Sequence, residues 1–86
     1  MEIKYDYSTL RGLIRKNFKT QNEYAEYIGI SPVSLNQRLM NKLPFKQNEI
    51  ARSIEGFNLE PSMIDEIFFC RDITENRINE PQYIEN

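Results

Sequence analysis

The stretch from Thr20 to Lys42, TQNEYAEYIGISPVSLNQRLMNK, narrows what this chain can fold into. It predicts two short helices joined by a tight turn. Thr20 is a favourable N-cap, and Glu23 stands three residues later at capping-box spacing. Tyr24, Ala25 and Ile28 recur on one helical face. Gly29 follows, where a left-handed backbone can reverse the chain without steric cost. Ile30 plugs the turn. Ser31-Pro32 then restarts a helix, with serine as cap and proline at the first helical position, where no N–H is needed. Leu35 and Leu39 supply the second helix with its buried stripe.

Two helices around a short glycine turn describe a helix-turn-helix. Ala25 falls where the helices approach most closely, and its small side chain suits that position. The residues expected to point outward from the second helix are Pro32, Val33, Asn36, Gln37 and Met40. An asparagine and a glutamine side by side can each read a base edge with one donor and one acceptor. The bland alternative is a helical bundle that merely contains a glycine between two helices.

The segment resembles the Cro/CI-type (XRE-type) helix-turn-helix of phage and bacterial repressors. Gln21, Ala25, Gly29, Ile30, Ser31, Leu35 and Leu39 carry the resemblance. The runs YDYSTLRGLI, LMNKLPFKQNEI and MIDEIFF resemble a small phage-associated subgroup, so the likeness covers about residues 5 to 69. Many such domains have an aliphatic residue where this chain has Arg38, and Leu39 is expected to take over its packing. The resemblance implies an all-α, compact five-helix bundle of the lambda-repressor type, with the helix-turn-helix in helices 2 and 3. It leaves open whether the protein represses, activates or antagonises another repressor.

Composition bounds the rest. Eighty-six residues suit one small domain. A chain of this size buries only about 60% of its unfolded surface, so a second subunit would add stability. No apolar run approaches the ~20 residues of a membrane span, and the charged N-terminus lacks a signal-peptide core. A single cysteine cannot form an internal disulfide, which points to a reducing cytoplasm. Histidine is absent, which removes a histidine-based triad and the usual zinc sites. The pair Asp65 and Glu66 reads as a solvated helix face rather than an acid/base pair. The expectation is therefore a protein that is not an enzyme and needs no cofactor.

The net charge is −2, but it is unevenly placed. Residues 1 to 46 hold eight basic and four acidic side chains, a net +4. Residues 47 to 86 hold three basic and nine acidic ones, a net −6. The basic half coincides with the helix-turn-helix, which favours a nucleic-acid role over simple surface coverage.

Along the chain, MEIKYDY is either an extended lead or an edge strand. Helix 1 is expected over about Ser8 to Asn17, with Leu10, Leu13, Ile14 and Phe18 inward. Pro44 ends the loop after helix 3. Helix 4 is expected over Lys46 to Glu55, with Ile50, Ala51 and Ile54 inward and Gly56 as a left-handed cap. Helix 5 starts near Pro61 and carries Met63, Ile64, Ile67 and Phe68. Phe68 and Phe69 diverge on a helix, so at least one can face a partner. Residues 1–69 form the expected DNA-binding domain, and the polar residues 70–86 form a tail or dimerisation arm.

The leading expectation is a sequence-specific regulator of double-stranded DNA. Pro32, Val33, Asn36 and Gln37 would contact bases. Gln21, Asn22, Lys42 and Lys46 would contact phosphate, with Lys19 weaker, and Arg38 would touch phosphate or a base. A homodimer through helix 5 and the tail would place two recognition helices on DNA. The alternative is a protein-binding modulator or antirepressor whose partner is a phage repressor. Its working surface would be the acidic half and Phe68-Phe69.

Overall fold

The computed structural model describes residues 3–72. Local capping chemistry sets most helix boundaries. Helix α1, Ser8–Asn17, starts beside Asp6, whose carboxylate accepts from the Ser8 N–H at 2.9 Å and the Ser8 hydroxyl at 2.6 Å. Those bonds hold the exposed Asp6 carboxyl below its ordinary range. Leu10 and Ile14, one turn apart, are its buried stripe.

Helix α2, Gln21–Ile28, is capped by Thr20, which accepts from the Glu23 N–H at 3.1 Å. The return bond of the capping box lies one residue earlier than expected: the Glu23 carboxylate accepts from the Lys19 N–H at 3.3 Å. Gly29, at φ 88°, closes α2. The N–H of Ile30 reaches the Ala25 carbonyl and that of Gly29 the Glu26 carbonyl, the paired bonds of a Schellman motif. Helix α3, Pro32–Leu39, is capped by Ser31, which accepts from the Ser34 N–H at 3.1 Å. Asn41, at φ 64°, turns the chain out of α3.

Helix α4, Gln47–Phe57, departs from expectation in two ways. Its buried residues are Glu49, Ser53, Ile54 and Phe57, whereas Ile50 is half-buried and Ala51 exposed. Two polar residues occupy the inner face because each finds a buried partner, described below. Gly56 is helical and caps nothing; the left-handed residue is Asn58, at φ 57°. What Gly56 supplies is space: a Cβ there would lie 2.7 Å from Cε2 of Tyr27 and 3.2 Å from Cζ of Phe18.

Pro61 opens a 3₁₀ turn, Pro61–Met63, which leads into α5, Ile64–Phe68. Ile67 and Phe68 are buried, and Phe69 is 46% exposed. Among the described residues the regular elements are thus all helical. One isolated antiparallel bridge, Tyr5 to Arg71, ties the extended N-terminal lead to the residues after α5. The Asp6 N–H donates to the Cys70 carbonyl at 2.7 Å, and the Asp72 N–H donates to the Lys4 carbonyl at 2.8 Å. The expected arm at 70–86, beyond Asp72, lies outside the described residues.

The core joins the inner stripes of the five helices with Tyr7. Tyr24 and Phe57 stack at 5.6 Å, with Phe18 edge-on to both. Among the described residues no helix is long and apolar enough to cross a membrane.

Candidate functional site

Two surfaces stand out: the outer face of α3, and a cleft beside it. Pro32, Val33, Asn36 and Met40 are exposed on α3, with Val33 at 69% and Met40 at 51%. The Asn36 amide donates to the Met40 sulfur at 3.4 Å, which orients it along the helix. Gln37 is half-buried, and its carbonyl accepts from the N–H groups of Lys42 and Leu43. Gln21 and Asn22 are exposed at the start of α2, and Lys42 and Lys46 are exposed beyond α3.

Arg38 is a correction. The sequence assigned it to phosphate or a base. It is buried, 6% exposed, between α3 and α4. Its Nε donates to Glu49 Oε1 at 2.8 Å and its Nη2 to Glu49 Oε2 at 3.1 Å, a two-point pairing. Its Nη1 reaches the Ser34 carbonyl at 3.1 Å. Glu49 Oε1 also accepts from the Lys46 N–H at 3.0 Å. A buried guanidinium is tolerable only with its charge matched and its nitrogens hydrogen-bonded; here the Glu49 carboxylate matches the charge and each of the three nitrogens makes one hydrogen bond. The polar seam continues through α4 to α2. The Ser53 hydroxyl donates to the Glu49 carbonyl at 2.7 Å and lies 2.6 Å from the Tyr24 hydroxyl. Burial pushes the Tyr24 hydroxyl pKa well up; its bond to Ser53 works against this, and the Glu49 charge adds to it.

The consequence for α3 is chemical. Arg38 is the only ionisable residue in Pro32–Leu39, and it is spent internally. The outer face of α3 is therefore uncharged and partly apolar.

The cleft has a volume of about 310 Å³ and lies between the N-terminal lead, the loop after α3 and the end of α5. Ile3, Leu43 and Phe69 line it and are 50%, 45% and 46% exposed. Tyr7, Phe45 and Phe68 form its aromatic wall in successive edge-to-face contacts at 5.5 and 5.1 Å. Asn41 holds the lead in place: its amide accepts from the Tyr5 N–H at 2.8 Å and donates to the Tyr5 carbonyl at 3.0 Å. The sequence singled out Phe68-Phe69 but not Ile3 and Leu43: Ile3 joins them through the pairing of the lead with residues after α5, and Leu43 through the loop after α3.

A family model described as a protein of unknown function, DUF739, matches residues 3–71. The chain belongs to this family. The matched span takes in the α3 face, the cleft and the bridge from Tyr5 to Arg71. A similar solved structure is the solution structure of the modulator of repression (MOR) of the temperate bacteriophage TP901-1 from Lactococcus lactis. The identity is 33% and the TM-score 0.66, over 77% of this chain and 89% of that one. No curated protein matches the chain.

Proposed function

We propose that this chain modulates repression by binding a repressor protein, as a binding module without catalytic activity. The observation that carries the reading is the likeness to a phage modulator of repression across most of both chains. The burial of Arg38 supports it, because a DNA-reading helix ordinarily gains from a free cation and α3 has none. Exposed Val33 and Met40 on α3, and Ile3, Leu43 and Phe69 at the cleft, give apolar contact area of the kind protein interfaces use.

The second reading is sequence-specific binding of double-stranded DNA. Exposed Asn36 favours it, as do exposed Lys42, Lys46, Gln21 and Asn22 around the helix pair. In this reading Pro32, Val33, Asn36 and the half-buried Gln37 meet bases, and the others meet phosphate.

Two titrations separate the readings. One uses the repressor encoded in the same genome, followed by calorimetry. The other selects bound sequences from a random duplex pool at physiological salt. Saturable binding to the repressor with no enriched duplex supports the protein-binding reading. An enriched inverted repeat, with no heat on mixing with repressor, would sink it.

A further inference from the structure

A second groove, of about 500 Å³, follows the C-terminal half of α4 into the turn before α5. Ala51, Ile54, Leu59, Pro61 and Ile64 form its apolar walls. Ala51 and Pro61 are exposed, and Leu59 and Ile64 are half-buried, so this apolar surface faces solvent. Glu55 is the one charged residue in its lining among the described residues. Exposed Glu60 stands between Leu59 and Pro61, and exposed Asp65 follows Ile64.

The charge here has one sign. From Ser53 to Cys70 the chain carries Glu55, Glu60, Asp65 and Glu66, and neither lysine nor arginine. Arg52, just ahead of this stretch, is engaged by α2. Its Nε donates to the Tyr27 carbonyl at 3.0 Å, and its guanidinium lies 5.4 Å from the centre of the Tyr27 ring. Among the described residues, no basic side chain lines the groove beside Glu55.

An apolar trough lined by one carboxylate, in a stretch whose charges are all acidic, repels phosphate, so nucleic acid is a poor occupant. It suits a helix that lays an apolar stripe into the trough and flanks it with lysine or arginine. Proteins that bind DNA carry cationic surface of this kind. We propose that the α4–α5 groove docks a cationic amphipathic helix of the repressor partner. This assignment rests on the protein-binding reading above.

The test titrates the isotope-labelled full chain with a helical peptide whose leucine stripe is flanked by lysines. The same peptide with glutamates replacing the lysines is the control. Amide shifts are expected at Ala51, Ile54, Glu55, Leu59 and Ile64 with the cationic peptide, and none with the anionic one. Glu55→Lys should weaken binding about tenfold by putting like charges together. Ala51→Arg, at an exposed helical position that tolerates arginine, should do the same by filling and recharging the trough. Glu26→Lys, an exposed change on α2, should leave affinity unchanged. Shifts elsewhere, or equal weakening by Glu26→Lys, would overturn the groove assignment. The same variants are then titrated with the whole repressor. If the parent and both groove variants bind it alike, the groove is excluded and the protein-binding reading stands. If the parent fails to bind the repressor, the reading fails and the assignment with it.

Discussion

Arg38 and Glu49 meet in a two-point ion pair that is almost wholly shielded from water, their side chains 7% and 3% exposed. The pair joins α3 to α4 and removes from the outer face of α3 the one charge its sequence offered. It also explains the rotation of α4, because Glu49 and its neighbour Ser53 both turn inward to reach partners.

Breaking that pair from one side should be costly. Arg38→Met leaves a carboxylate buried without its counter-charge and should destabilise the fold by about 3–5 kcal/mol. The double variant Arg38→Met with Glu49→Met should recover most of the loss, since apolar replacements need no partner. Urea unfolding of the parent, both single variants and the double variant checks this. A single variant as stable as the parent would mean that the pair is not held as described.

Tyr24 predicts a loss of stability in alkali. Its pKa is raised in the folded protein, mainly by burial, so the fold favours the neutral phenol. That contribution is fully present below the unfolded tyrosine value of about 10. Above it the unfolded chain releases the proton and the folded one retains it, so stability falls as pH rises. Tyr7, raised by burial and by nearby Tyr5, adds to the slope. Tyr24→Phe should flatten the decline between pH 10 and the onset of alkaline unfolding. A melting-temperature profile identical to the parent's would contradict the assignment.

Two glycines should respond oppositely to alanine. Nothing lies within 4 Å of a Cβ at Gly12, on the exposed side of α1. Gly12→Ala should stabilise by roughly 0.5–1 kcal/mol through helix propensity. Gly56→Ala drives a methyl into the Tyr27 ring, which Phe18 and Arg52 hold from other sides. Its cost of about 1–3 kcal/mol from overpacking should exceed the propensity gain. Calorimetric melting of the two variants should move in opposite directions.

Asn41 should control the N-terminal lead. Asn41→Gly keeps the left-handed backbone but deletes both bonds to Tyr5. Loss of these part-buried bonds should cost about 1–3 kcal/mol and speed amide exchange at Tyr5 and Asp6. Amides in α1 should exchange as before. Unchanged protection at Asp6, whose N–H is bonded to the Cys70 carbonyl, would show that the bridge to Arg71 alone holds the lead.

What the sequence determined by itself is the set of features written within a few residues. The caps at Thr20 and Ser31, the turn at Gly29 and the span of α1 follow from local backbone chemistry. So do the inner stripes of α2 and α3 and the division of Phe68 from Phe69, because helical period alone separates them. Only the tertiary structure decided matters that hang on a distant partner. Arg38 looks like a surface cation until Glu49, eleven positions away, is seen to receive it. Gly56 reads as a cap until Tyr27 arrives beside it, and Asn58 then takes the left-handed role. Ala51 and Ile50 read as core until Glu49 and Ser53 find hydrogen bonds that make a polar inner face the lower-energy choice. Tyr5 and Asn41, thirty-six positions apart, build the cleft wall together. Both grooves belong to this second class, since an apolar residue shows only its type in sequence. Whether it is covered depends on which other segment of the chain comes to lie over it.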